Sequence, residues 1–194
     1  MKDKGLHAKN WDERYAGEDY VYGTNPNQFL VSCAPRLSGK KVLCIADGEG
    51  RNGVWLARQG FEVTSIDFSA RGLEKARKLA EKYEVSLNCV QADVTQWDYS
   101  RSAYDAIISV FAHFPHSVYP DLARRWIRAL KPGGHLVLVG YDQAQLGRDS
   151  GGPKSPDLLY DLNQIQSCFH DLDVLYLEKG EVALKEGALH QGHA

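Results

Sequence analysis

The 194-residue sequence predicts an α/β domain in which a doubly wound, mostly parallel sheet lies between two helical layers. Five short runs are apolar almost throughout rather than at alternate positions, so each strand expects cover on both faces. Helix-period apolar stripes separate these runs, and regular β-α alternation implies the three-layer α-β-α arrangement. The clearest unit is 41–67, where a strand enters a glycine loop, a helix follows, and a second strand ends on Asp67. That layout marks a nucleoside-binding βαβ unit.

In chain order, residues 1–35 are aromatic and polar, with Trp11, Tyr15, Tyr20, Tyr22 and Phe29. They read as an N-terminal lid or cap on an α/β core of 36–194, the whole chain forming a single domain. Strands are expected at 42–46, 63–67, 87–92, 106–110 and 136–140. Gly60 stops a helix over 54–59. Ser69 caps the next, whose inner face carries Leu73, Ala76, Ala80 and Tyr83. Leu122, Ala123, Trp126, Ile127 and Leu130 form a third stripe, ended by Lys131-Pro132-Gly133-Gly134. Ser155-Pro156-Asp157 reads as a cap and first-turn proline for a helix carrying Leu158, Leu159, Leu162 and Ile165. Gly147, Gly151, Gly152 and Pro153 make 141–157 a long, mobile loop that, with the lid, flanks the mouth of the site.

Composition narrows the partners. Lys plus Arg number 23 against 25 Asp plus Glu, so no global basic field announces a nucleic-acid ligand. Cys33, Cys44, Cys89 and Cys168 lack paired spacing, which gives neither a zinc site nor a disulfide framework, and no other metal site is expected. The polar start Met-Lys-Asp-Lys-Gly-Leu-His is no signal peptide and no segment approaches a membrane span, so a cytoplasmic protein, monomer or homodimer, is expected.

The glycine loop is the most informative segment. Gly48 and Gly50 let the backbone turn sharply and approach a ligand closely. Asp67, about 20 residues further on, is placed at a strand end to accept hydrogen bonds from ribose hydroxyls. Gly48-Glu49-Gly50-Arg51-Asn52-Gly53 also satisfies the dinucleotide pattern G-x-G-x-x-G, which alone is a weak signal. Asp47 and Glu49 oppose that reading, because like charges a few ångströms from a pyrophosphate cost on the order of 1 kcal/mol or more. S-adenosylmethionine carries no phosphate, and its cationic groups suit acidic surroundings.

On Gly48-Glu49-Gly50-Arg51-Asn52, Val63-Thr64-Ser65-Ile66-Asp67-Phe68-Ser69, Ala92-Asp93-Val94 and Leu130-Lys131-Pro132-Gly133-Gly134, the sequence resembles the class I S-adenosylmethionine-dependent methyltransferases. The small TehB-like (tellurite-resistance-type) and thiopurine-methyltransferase-like branch is the most similar, including Trp11-Asp12-Glu13-Arg14-Tyr15 and Tyr22-Gly23-Thr24-Asn25-Pro26-Asn27. The resemblance covers nearly the whole chain. It implies a Rossmann-like fold, S-adenosylmethionine as cofactor and S-adenosylhomocysteine as product. The backbone of Ala46, Asp47, Gly48, Glu49 and Gly50 would follow the methionine part, with Asp67 on the ribose, Phe68 beside adenine and Asp93 near the adenine amino group. Ser109, Val110 and Phe111 would lie close to the sulfonium, and Asn52, Ser69, Ala92 and Val94 belong to the same binding stretches. Cys44 stands where the family usually has an acid, and Ala46 where it has glycine. The family's sheet ends in an antiparallel pair. Here 174–177 with 182–184 supply one long strand or a short hairpin, so the last strand is expected to be missing or displaced and a sheet edge open or covered by another chain.

Methyl transfer is an in-line displacement that alignment and exclusion of water promote. Trp11, Tyr15, Tyr22, Phe111 and Phe114 are candidate aromatic walls facing a cationic donor. Arg14 is a candidate for an anionic group of cofactor or acceptor, with an exposed salt bridge as the alternative. His113, just past the fourth strand, is the candidate general base, and His116 is expected to face solvent. His190 and His193 read as a frayed tail, with reach into the active site as the alternative. The function expected is methyl transfer to a small-molecule acceptor such as a thiol, a metalloid oxyanion or another metabolite. The alternatives are an NAD(P)-dependent oxidoreductase and a non-catalytic S-adenosylmethionine-binding module.

Overall fold

Apolar residues on both sides of each strand produce a sheet with two cores, and the computed structural model, which describes residues 8–194, shows this directly. Strand β1 (Lys41–Ile45) sends Leu43 and Ile45 to one face and Val42 and Cys44 to the other. Leu43 and Ile45 join Ile66, Ile107, Leu122 and Trp126. Val42 and Cys44 join Leu30, Leu56, Val63 and Ile108. Continuous apolarity is therefore the signature of a central strand wetted on neither face.

The other strands of the main sheet are β2 (Glu62–Asp67), β3 (Asn88–Gln91), β4 (Tyr104–Val110) and β5 (Leu130–Val139). Their order is β3-β2-β1-β4-β5, and every pairing is parallel. The chain winds outward from β1 through β2 and β3, then crosses back to β4. The switch point, where such sheets bind ligands, therefore lies between the carboxyl ends of β1 and β4.

Helices α1 (Ala8–Arg14) and α2 (Gln28–Cys33) belong to the N-terminal segment. Helices α3 (Arg51–Arg58), α4 (Ala70–Lys82) and α5 (Tyr119–Ala129) cover the sheet. Ser69 caps α4 as its sequence suggests, its hydroxyl accepting from Gly72 N–H at 3.0 Å. Helix α5 stops at Ala129, and Leu130 already pairs with Tyr104. The Lys131-Pro132-Gly133-Gly134 stretch is thus a bulge inside β5 rather than a link before it. Asp105 gathers that corner, accepting from Lys40 N–H, Lys41 N–H and Lys131 Nζ.

Three expectations are corrected. Helix α6 (Leu162–Cys168) is capped by Asp161, which accepts from Asn163 and Gln164 N–H, and the Ser155-Pro156-Asp157 signal starts only a 3₁₀ turn (Pro156–Leu158). The segment 141–157 is tied down rather than free: Gln145 Nε2 donates to Ser150 Oγ and Gly151 O, and Ser150 Oγ donates to His193 O. At the C-terminus, 174–177 adopts no strand and leaves Val174, Leu175, Tyr176 and Leu177 exposed. The hairpin is instead β6 (Ala183–Glu186) with β7 (His190–His193), a separate two-stranded sheet. It folds over the mouth of the site, where Ala188 N–H donates to Val21 O at 2.8 Å. Among the described residues β5 pairs only with β4. The polar 1–7 stretch lies outside the described residues.

Candidate functional site

At the carboxyl end of β1 the backbone is left-handed at Ala46 (φ 48°), Gly48 (φ 57°) and Gly50 (φ 83°). The strain at Ala46 explains why glycine is usual there in the family it resembles: an alanine Cβ meets the next carbonyl in that conformation. Phe111, at the end of β4, is also left-handed (φ 54°). Strained non-glycine backbone on both sides of the switch point is a mark of a built site. Between them lies a cavity of about 70 Å³, walled by this loop, by Ile108, Val110 and Phe111, and by Trp11, Tyr15, Tyr22 and His190. Such a space holds a few waters and is smaller than a nucleoside.

The two acids of the loop are separated by the fold. Asp47 turns beneath the loop, its Oδ2 accepting from Gly53 N–H at 3.2 Å and Ser65 Oγ at 2.9 Å. Desolvation, opposed by the Ser65 hydroxyl, pushes its carboxyl up to about 7. The protein's own carboxylate thus occupies the first turn of α3, where a pyrophosphate would dock. Glu49 departs from the expectation that it faces the ligand. Its Oε1 pairs with Lys75 Nζ at 2.7 Å and its Oε2 accepts from Tyr22 N–H at 3.4 Å. Lys75 also donates to Asp19 O at 2.6 Å, so this buried pair fastens the N-terminal segment to α4 and to the glycine loop.

Asp67 is buried at the end of β2, as its position in the sequence implies. Its Oδ2 accepts from Gly48 N–H and its Oδ1 from Ser69 N–H, both at 2.8 Å. Desolvation nevertheless raises it to about 6. Tyr15 covers this corner: a Cβ on Gly48 would lie 2.6 Å from its hydroxyl. Asn52 does not face the cavity as a free amide, because Asn27 N–H donates to its Oδ1 at 2.9 Å. Gly50 packs on Ala76. Ser69 Oγ donates to Asp12 at 2.6 Å while capping α4.

Several expected residues lie away from the cavity. Asp93 is exposed and caps its own turn, accepting from Thr95 N–H and Oγ. Ala92 and Phe68 are half-buried on the β2–β3 side, and Val94 is core. Ser109 is fully enclosed in β4, whereas Val110 and Phe111 line the cavity. Phe114 is a correction: its ring packs at 5.9 Å from Tyr119 and 6.4 Å from Trp126, inside the core. Among the described residues Arg14 pairs with no acid. Its Nη1 donates to Tyr22 Oη at 3.0 Å, and its guanidinium lies 4.6 Å from the Trp11 ring, fixing the lid.

His113 is the main correction. Tyr141 N–H donates to its Nε2 at 3.2 Å, so the proton sits on Nδ1, which donates to Leu158 O at 2.7 Å. Desolvation holds its pKa down to about 4. Both nitrogens are spent on joining two loops, and neither is left for a substrate. His116 likewise meets Leu159 O at 2.7 Å rather than solvent.

Residues that local sequence reasoning did not place complete the wall. Arg51 pairs with Glu186 at 2.7 Å, and Asn27 Nδ2 donates to Glu186 at 2.9 Å. His190 is buried, its ring centroid 4.5 Å from Tyr22, 4.6 Å from Phe111 and 5.5 Å from Tyr141. The run Ala188-Leu189-His190-Gln191-Gly192 carries no alternation or turn signal that would have revealed this. Among the described residues there is no cluster of His, Cys, Asp and Glu suited to a metal ion, and no helix is long and apolar enough to cross a membrane.

Residues 42–134, from β1 into the β5 bulge, match the family model described as a methyltransferase domain. The TehB structure from Haemophilus influenzae superposes with a TM-score of 0.68 at 18% identity, covering 96% of this chain and 62% of that one. Phosphoethanolamine N-methyltransferase 2 of Haemonchus contortus, solved with S-adenosyl-L-methionine, gives 0.62 at 19% identity over 87% of this chain and 42% of that one. In fold and in this domain match the chain is similar to the class I, S-adenosylmethionine-dependent methyltransferases. In sequence, the ubiquinone biosynthesis O-methyltransferase of Alkalilimnicola ehrlichii is 30% identical over 135 residues, 67% of this chain and 54% of that protein. The chain thus spans about half the length of such curated relatives.

Proposed function

We propose that the protein transfers the methyl group of S-adenosylmethionine to a small-molecule acceptor. The observation that carries this reading is the Asp47 carboxyl group against Gly53 N–H at the start of α3, which occupies the helix N-terminus with the protein's own acid. That arrangement disfavours a dinucleotide and leaves a phosphate-free nucleoside as the ligand of this switch point. The open left-handed loop and the buried carboxylate of Asp67 fit such a cofactor.

In this reading the backbone of 46–50 holds the methionine part and Asp67 the ribose, and the adenine extends out of the cavity along the β2–β3 side toward Phe68 and Asp93. Val110 and Phe111 lie beside the sulfonium, next to Ser109. When bound, the cofactor supplies an electrophilic methyl group. Tyr15, Tyr22 and Phe111 exclude water around it and offer π faces to its charge. The relatives' names cover O- and N-methyl acceptors, which supports a small metabolite without choosing among oxygen, nitrogen and sulfur.

Titration calorimetry separates this reading from an oxidoreductase. Binding of S-adenosylhomocysteine, with no heat from NADH, is the expected result. Binding of NADH alone would overturn it.

A further inference from the structure

Among the histidines near the site, His190 differs from the other two in how its nitrogens are used. Its buried Nδ1 lies 3.9 Å from Glu186 Oε2, beyond hydrogen-bond distance, and among the described residues no hydrogen bond engages either ring nitrogen. The ring lines the cavity beside Phe111, whereas His113 and His116 are bound to backbone carbonyls. Glu186 is held by Arg51 on Oε2, the oxygen that also faces His190, and by Asn27 on Oε1, so its carboxylate has one orientation. Phe111 and Tyr141 stack at 4.7 Å and 29°, giving His190 a flat aromatic neighbour surface.

We infer that His190 is the general base of the methyl transfer, with Glu186 as its positioning residue, and that the acceptor is a hydroxyl on a planar ring. The inference rests on the methyltransferase reading above. The acceptor oxygen attacks the methyl carbon, the carbon–sulfur bond breaks, and its electron pair stays on sulfur. The hydroxyl proton passes to His190 Nε2 and then to solvent. The products are the methyl ether, S-adenosylhomocysteine and one proton. Glu186 favours the tautomer with hydrogen on Nδ1 and faces the imidazolium as it forms. Burial, aided by Arg51 and Arg14 and opposed by Glu186, lowers the His190 pKa, so the ring is neutral and ready to accept a proton at pH 7. Tyr22, Tyr141 and His113 are the other titratable groups facing it. For Glu186, burial works upward, but His190, Arg51 and Asn27 together hold it low and ionised.

The test uses the full chain saturated with S-adenosylhomocysteine and 4-nitrocatechol, whose absorbance reports ionisation, at a pH where the free probe is neutral. Wild type should bind it as the phenolate. His190→Gln should bind S-adenosylhomocysteine within about threefold of wild type but leave the probe neutral, and Glu186→Gln should fall between. With a methylatable catechol, the turnover of His190→Gln should fall by about 10²- to 10⁴-fold. In wild type, independently of any variant's folding, the His190 ring signal in NMR should move to the imidazolium position when the probe binds. Failure of wild type to bind S-adenosylhomocysteine would overturn the methyltransferase reading itself. Cofactor binding with a probe that is unbound or neutral, or that ionises equally on His190→Gln, would overturn only the role of His190.

Discussion

Replacing Lys75 by methionine tests whether Glu49 belongs to the architecture rather than to the ligand. The ammonium lies 2.7 Å from Glu49 Oε1 and 2.6 Å from Asp19 O, and the Glu49 side chain is only 3% exposed. Methionine keeps most of the stem's packing, so the loss is electrostatic. Glu49 would keep one long hydrogen bond, from Tyr22 N–H at 3.4 Å, and otherwise remain as a buried charge without a partner. Breaking one side of a buried pair costs about 3 to 5 kcal/mol. For a domain of this size that corresponds to a melting point lower by roughly 6 to 20 °C. Urea unfolding followed by circular dichroism measures the free energy, and the double variant Glu49→Gln/Lys75→Met should recover at least half of it. A loss below about 1 kcal/mol, or no recovery in the double variant, would refute the assignment. So would tighter binding of S-adenosylmethionine by Lys75→Met, the result expected if Glu49 instead attracted the ligand's ammonium.

Three other outcomes follow from local geometry. Ala46→Gly removes a left-handed alanine worth about 1 to 2 kcal/mol of strain, against about 0.4 to 1 kcal/mol of added unfolded-state entropy. A small rise in thermal stability is expected, and a fall would contradict the strain. Asp47 and Asp67 have folded pKa values of about 7 and about 6, above their unfolded value, so folding favours their protonated forms. Their contribution is best below about pH 4, declines as pH rises through 4 to 7, and is flat above that. Unfolding free energies of wild type and Asp47→Asn at pH 5 and pH 8 should therefore show a shallower decline in the variant. Gly39→Ala places a Cβ on the Asp105 carboxylate at a left-handed position (φ 71°), and should cost at least about 2 kcal/mol in urea unfolding.

Much of the frame is legible along the chain because its causes are local. Apolar runs find four of the five parallel strands to within two residues and the second half of the fifth, and Ser69 caps the helix it precedes. Glycines at 48 and 50 announce the loop, and Asp67 stands at its strand end. These features depend on backbone conformation and on residues within one turn or one strand of each other. The Ser155-Pro156 signal misled because Asp161, a few residues on, offers the stronger cap with two N–H donors.

Pairing between distant segments lies beyond such reading. By itself the sequence determined the layers, the switch point and a glycine loop unsuited to phosphate. Only the tertiary structure decided that Asp47 fills the helix N-terminus, that Glu49 answers Lys75 rather than a ligand, and that His113 is bound on both nitrogens. It also brought the last ten residues back over the first lid, setting His190 between Tyr22 and Phe111 with Glu186 locked to Arg51. The physical reason is one of range. Hydrophobic periodicity and backbone strain act on neighbours in the chain, whereas the partner of a buried charge is whichever group the completed fold brings within hydrogen-bond distance.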